Sequence, residues 1–492
     1  MSNLGDNLLV KDLYMYDRLL KMRYCFICIC FSDFRVSSRC FNKPHFLSQW
    51  TDVEAQRTRK PVTLEHECGD FPAKVEIQVR PKTGNWTNFY FPGIGSSQRD
   101  DDRNKTYGGI VYKYNKDEVV LFIPGANDGY SSGTIIYTGA STWRGPVAQR
   151  ESRAQVRTLV WCPGDLPSPS HQSQWIPFNN SGIGSFLEIP HNQGTFPDLI
   201  TVQIRQEGTE WLSDGIGSMS ALKPDSTTSW GGVIYGYNRS HVRVWAPYRK
   251  NGKLFSADDG WGSSTESWSR GLVRIKSWKV TNMHYVTTQL NQNSNNELPL
   301  NTVYNQNEDF MIVKVLADNG NNKGFLFPAS GAVQNDDGMS AYGGVVYAAS
   351  RDTLRIWTPV LSGSRYLIYI NDDWGNSMYP QTSISAKLLI QIWRSTTCAA
   401  STAPLATPST SINQKSSKSV STTSTSINSQ TSNSNLKSNQ AQSSKLSTTS
   451  PVVPAAVGGS LLLLAVSGAV VAVVLWKKYR RNRVVSETKE EG

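Results

Sequence analysis

The chain has 492 residues, a formal charge of +11, and 38% hydrophobic against 18% charged residues. Such a length excludes a single small module and predicts several domains. Basic and acidic residues number 10 and 6 over 1–60, 30 and 30 over 61–398, 4 and 0 over 399–451, and 6 and 3 over 452–492. The large central part is therefore neutral. Nucleic acid is not expected as a partner, because a surface that displaces counterions from phosphates needs a surplus of cations.

Residues 1–60 form a leader. Within it, Arg23 precedes the short apolar run Tyr24-Cys25-Phe26-Ile27-Cys28-Ile29-Cys30-Phe31, so 22–31 has the outline of a degenerate signal segment. The body that follows, 61–394, repeats one hexad three times: Tyr107-Gly108-Gly109-Ile110-Val111-Tyr112, Trp230-Gly231-Gly232-Val233-Ile234-Tyr235 and Tyr342-Gly343-Gly344-Val345-Val346-Tyr347. Sixteen residues after the first glycine of each stands a proline, Pro124, Pro247 and Pro359. Upstream, Val75, Ile77 and Val79 match Ile200, Val202 and Ile204, then Met311, Val313 and Val315; downstream each copy ends on a strand capped by Trp161, Trp278 or Trp393. Apolar residues alternate with polar ones in short runs between glycine-rich turns, and helical periodicity is absent. The fold class is thus all-β: three antiparallel β-sandwich-like domains at 61–162, 188–279 and 303–394, each expected to have its own core. Residues 163–187 and 280–302, rich in Pro, Ser, Asn and Gln, read as linkers that hinge separate beads.

Cys68 precedes the first strand of copy one and Cys162 follows its last, so a disulfide between them is expected in an oxidising compartment. Cys398 is left over and can pair with Cys40 or with a second chain, which would make a homo-oligomer. Asn85, Asn104, Asn179 and Asn238 begin Asn-x-Ser/Thr sequons and are expected to carry N-glycans.

Residues 395–451 contain 29 Ser or Thr out of 57 and no aromatic residue, the composition of a disordered, O-glycosylated stalk. Val452 to Leu475 then runs 24 residues without a charge. At about 1.5 Å per residue, a helix of that length crosses a hydrocarbon core of roughly 30 Å. Trp476 and the cluster Lys477, Lys478, Arg480, Arg481 and Arg483 follow, so 452–476 reads as a transmembrane helix and 477–492 as a cytoplasmic tail. A type I plasma-membrane protein with its body outside is expected.

An active site is not expected. Gly129-Tyr130-Ser131-Ser132-Gly133 matches the pattern of a hydrolase elbow, but Thr134-Ile135-Ile136-Tyr137 reads as a strand where the elbow requires a helix. A membrane-tethered serine hydrolase using Ser131 is kept as one alternative and a structural surface coat as another. Binding residues are better marked. Arg243 with Trp245, and Arg355 with Trp357, stand two apart on strands and share a face, where an indole beside a fixed charge suits sugars or anionic groups. The loops Asp258-Asp259-Gly260-Trp261-Gly262 and Asp372-Asp373-Trp374-Gly375 add Asp259, Trp261, Asp372 and Trp374. The alternative for all of these is core or turn, and copy one, with Val120, Phe122 and Ser141 there, serves as the control. Asp102, Asp225 and Asp337, each six residues before a double glycine, could hold calcium; no other cofactor is expected.

Modules that open on a strand such as Val75-x-Ile77-x-Val79, close on a strand ending in Trp and repeat on a cell surface resemble H-type lectin domains. The resemblance implies compact antiparallel β-sandwiches that bind N-acetylgalactosamine-type sugars as trimers. It assigns no binding residue. The function expected is recognition or adhesion, with a glycan or another cell-surface protein as ligand.

Overall fold

A computed structural model describes residues 41–395, apart from 57, 96–105, 126–131, 219–228, 249–250, 259, 281–283, 292–295, 332–333, 335–340 and 361–363. Most of the leader, Cys398, the stalk, the membrane segment and the tail therefore lie outside the described residues. So do Asn104, Ser131, Asp102, Asp225, Asp259 and Asp337. Among the described residues no helix is long and apolar enough to cross a membrane.

Among the described residues the fold is all-β, with 50% strand and 2% helix. Each copy repeats one order of strands. An alternating strand, Lys74–Pro81, Leu199–Gln206 or Phe310–Ala317, pairs along its whole length with the closing strand Arg153–Trp161, Arg270–Trp278 or Ser385–Trp393. The hexad opens a hairpin, Val111–Tyr114 with Glu118–Phe122, Ile234–Tyr237 with His241–Trp245, or Val346–Ala349 with Thr353–Pro359. Its turn is made by a short polar side chain that accepts from the backbone ahead of it. Asn115 Oδ1 takes the N–H groups of Asp117 and Glu118, Asn238 Oδ1 those of Ser240 and His241, and Ser350 Oγ that of Thr353. The second glycine of the hexad has φ of 107°, 115° and 126° in the three copies, which only glycine adopts without strain.

The copies are not beads on hinges. In one eight-stranded sheet, Leu212–Asp214 of copy two pairs with Val111–Tyr114 of copy one through Leu212 and Tyr114. In a seven-stranded sheet, Leu326–Pro328 of copy three pairs with copy two through Tyr237 and Leu326. Tyr90 of copy one and Ala349 of copy three exchange backbone hydrogen bonds of 2.8 and 3.0 Å at the equivalent place. One to two, two to three and three to one, the copies close a ring. The expectation of separate cores fails for the same reason: the largest apolar cluster joins Trp245 of copy two to Leu388 of copy three, and the next joins Val79 to Trp357. The capping residues Trp161, Trp278 and Trp393 meet in one cluster with Phe310.

The segments read as linkers, 163–187 and 280–302, carry strands of the copies that follow them. His171–Gln172 and Ile176–Asn179 pair with the closing strand of copy two, and His284–Asn291 with that of copy three. Phe46–Leu47 and Thr51–Glu54, placed in the leader by sequence, pair with the closing strand of copy one. Each copy thus begins well before its alternating strand. The expected Cys68–Cys162 disulfide is present, with Cα atoms 5.6 Å apart.

Glycine lets the ring close. A Cβ on Gly95 would meet the backbone oxygen of Asp214, one on Gly217 that of Pro328, and one on Gly331 that of Pro92, all nearer than the 3.0 Å that real Cβ atoms keep. These are one position in three copies, each laid against the next copy's backbone.

Candidate functional site

The tryptophans expected on a binding face are inside the protein. Trp245 is 0% exposed and Trp261, Trp357 and Trp374 are each 1% exposed. Strand positions give Trp245 and Trp357 a common face with Arg243 and Arg355, as expected, but that face is covered by another copy. Trp245 Nε1 donates to Met378 O of copy three at 2.7 Å, and Trp357 Nε1 to Val147 O of copy one at 2.8 Å. Loop tryptophans and hexad aromatics interlock around the ring: Trp261 lies 4.9 Å from Tyr107, Trp374 5.8 Å from Trp230, and Trp143 5.9 Å from Tyr342. Asp372 is exposed, and its backbone oxygen accepts from Ser377 Oγ.

The arginines lock the same junctions. Arg243 stacks 4.5 Å from Phe325 and 3.6 Å from Tyr379 of copy three, and pairs with Glu188 at 2.8 Å. Arg355 stacks 3.9 Å from Trp86 and 4.0 Å from Phe89 of copy one, and pairs with Glu297 at 3.1 Å. Copy one has Val120 there, yet its junction keeps a cation. Lys113, on the adjacent strand, lies 3.9 Å from Trp211 and bonds both oxygens of Glu266 at 2.6 Å. The control copy thus makes the same kind of contact by another route.

A cavity of about 140 Å³ lies where the copies meet, lined by the hexad tyrosines Tyr112, Tyr235 and Tyr347 together with Lys74, Glu76 and Asp214. Asp214 stands where the other copies have Pro92 and Pro328. Its oxygens accept from Tyr112 at 2.8 Å and Tyr114 at 2.7 Å, and burial raises its pKa. Glu76 is raised by the same cause and accepts from Gln78 and Tyr304. Asp214 joins copy two to Tyr112 and Tyr114 of copy one, and Tyr304 of copy three joins Glu76 of copy one, so these groups tie copies together.

An aromatic group with a charged surround sits instead on the rim. Trp50 is half-buried, with the Arg80 guanidinium 4.0 Å and the Arg157 guanidinium 4.3 Å from its ring. In copy two Trp175, also half-buried, repeats the arrangement with Arg205 at 4.6 Å and Arg274 at 4.2 Å. Arg157 and Arg274 are fixed from behind by Gln78 and Gln203. Sequence reasoning missed both indoles because they lie in the segments taken for leader and linker. The usable signal was the match of Arg80 with Arg205 and of Arg157 with Arg274 once the strands are aligned.

Copy three breaks this pattern, with Lys314 in place of the glutamine and Leu389 in place of the facing arginine. Lys314 Nζ donates to Asp198 O of copy two at 2.8 Å and to Gln391, and burial pushes its pKa down to about 7. An unfolded lysine titrates near 10.4, so between those values the unfolded chain binds more protons and stability rises with pH. The Tm should climb by several degrees from pH 7 to about 9.5, and Lys314→Gln should flatten that climb. Lys276, pushed down to about 8, supplies the part that remains. An equal climb in the variant would remove Lys314 as its source.

Of the sequons, Asn85 is exposed, while Asn179 and Asn238 are half-buried and spend their side-chain oxygens on local turns. Ser132–Thr134, directly after Ser131, is a strand paired with Thr106–Gly108. No protein-family model matches the chain, and no curated protein or solved structure matches it either.

Proposed function

We propose that the chain is a single-pass type I cell-surface recognition receptor. Its β body, three sandwich-like copies closed into a ring, stands outside the cell on the 395–451 stalk, anchored by 452–476, and binds glycans at the rim. The observation that carries this reading is the indole with two arginine guanidiniums over its ring, at Trp50 and again at Trp175. A half-buried indole stacked with guanidinium groups joins an apolar ring to fixed positive charge, a chemistry that suits sugars or anionic groups. Two equivalent positions on one body add avidity for clustered glycans. A strand where a hydrolase elbow needs a helix speaks against the Ser131 alternative.

The test is a glycan array probed with the full chain in lipid nanodiscs. Binding to a defined set of glycans is expected, falling at least tenfold in Trp50→Ala/Trp175→Ala with the far-ultraviolet dichroism spectrum unchanged. Full binding by the double variant, or silence of the folded wild type across the array, would sink the proposal.

A further inference from the structure

The three junctions of the ring are equivalent in backbone but not in what fills their outer grooves. Between copies one and two the groove holds Arg205, Arg274 and Trp175, and between three and one it holds Arg80, Arg157 and Trp50. Between two and three the arginine positions are Leu316 and Leu389, and the sheet places Thr287 opposite Leu389, at the indole's position. The groove that results is open, with a volume of about 470 Å³, within the range of small-molecule sites.

Its walls have two characters. Leu316, Leu326, Leu389 and Phe196 form an apolar floor, and the exposed Arg239 and Lys387 flank it, Arg239 from copy two and Lys387 from the closing strand of copy three. Asp198, the acidic residue of the lining, is already engaged by Lys279 at 3.4 Å and by the Val280 N–H at 2.6 Å. Among the described residues no carboxylate pairs with Arg239 or Lys387. An apolar trough flanked on its two sides by exposed cations that no carboxylate neutralises selects a molecule with an apolar body and an anionic group.

We infer that the groove between copies two and three binds an amphiphilic carboxylate, its alkyl chain on the leucine floor and its anion on Arg239 and Lys387. This does not rest on the glycan reading, which uses the other two grooves. The loss of Arg and Trp that removes the rim stack from copy three is what creates the site.

Octanoate is a suitable probe, with the full chain in phosphatidylcholine nanodiscs and binding followed by saturation-transfer NMR. Wild type is expected to bind octanoate saturably and octanol at least tenfold more weakly. Leu316→Arg/Leu389→Arg, which restores the side chains of the other copies, should abolish binding. Because those leucines are half-buried, the exposed pair Arg239→Ala/Lys387→Ala is the companion variant, expected to lose tenfold in octanoate affinity while keeping the wild-type Tm. Octanol bound as well as octanoate, no saturable binding, or wild-type affinity in the folded alanine pair would each overturn the inference. Silence of the wild type on the glycan array with octanoate binding intact would sink the glycan reading alone.

Discussion

Gly331→Ala should leave little or no folded protein. A methyl group there collides with the Pro92 backbone oxygen, carbon and nitrogen, none of which can swing aside as a side chain would. Those atoms belong to the strand by which copy one joins copy three, so relief of the collision means parting the ring. Gly217→Ala, against Pro328 O, and Gly95→Ala, against Asp214 O, should behave alike, since the three glycines do one job at three junctions. Overpacking in a tight interior costs about 1–3 kcal/mol when side chains can shift, and more when only backbone can. The measurement is the yield of protease-resistant protein after expression, beside Gly164→Ala, where an added Cβ meets nothing within 4 Å. Near-wild-type yield for Gly331→Ala would mean that the junction is looser than this geometry.

Trp245→Ala should cost about 3–5 kcal/mol, the range for truncating a buried aromatic, read as a lower urea midpoint. The indole is 0% exposed, packs on Phe186 and Phe327, and satisfies Met378 O across the junction. Alanine removes the packing and strands the carbonyl. Trp357→Ala is the equivalent change at the next junction, where it strands Val147 O. Copy one supplies the milder variant. It carries Phe122 at this position, packed 5.9 Å from Phe255, so Trp245→Phe should lose less than half as much. If the indoles met a ligand instead, alanine would lower affinity and leave the urea midpoint in place.

The alternation of Val75, Ile77 and Val79, the threefold hexad and the flanking cysteines lead from sequence to an all-β body with a repeat and one disulfide. Closure of the ring could not be read the same way. Copies one and two meet in the sheet through the single pair Leu212 and Tyr114, and no periodicity marks so short a contact. Strand alternation likewise puts Arg243 and Trp245 on one face but is silent about what covers it. An exposed platform and a junction lock have the same pattern until the neighbouring copy is placed. Trp50 and Trp175 were hidden differently: the strands around them are short and polar, and their edge pairing follows from the partner strand rather than from their own composition.

Sheets assembled from neighbouring copies have a thermodynamic consequence. Three separate chains arranged this way would come apart on dilution, and their melting temperature would track concentration by mass action. Here covalent linkage replaces the association step, so unfolding should be first order, with the same midpoint at any protein concentration. Each junction is also encoded separately, so a change such as Asp214 for proline occurs once rather than three times, which a self-assembling trimer of identical chains cannot do.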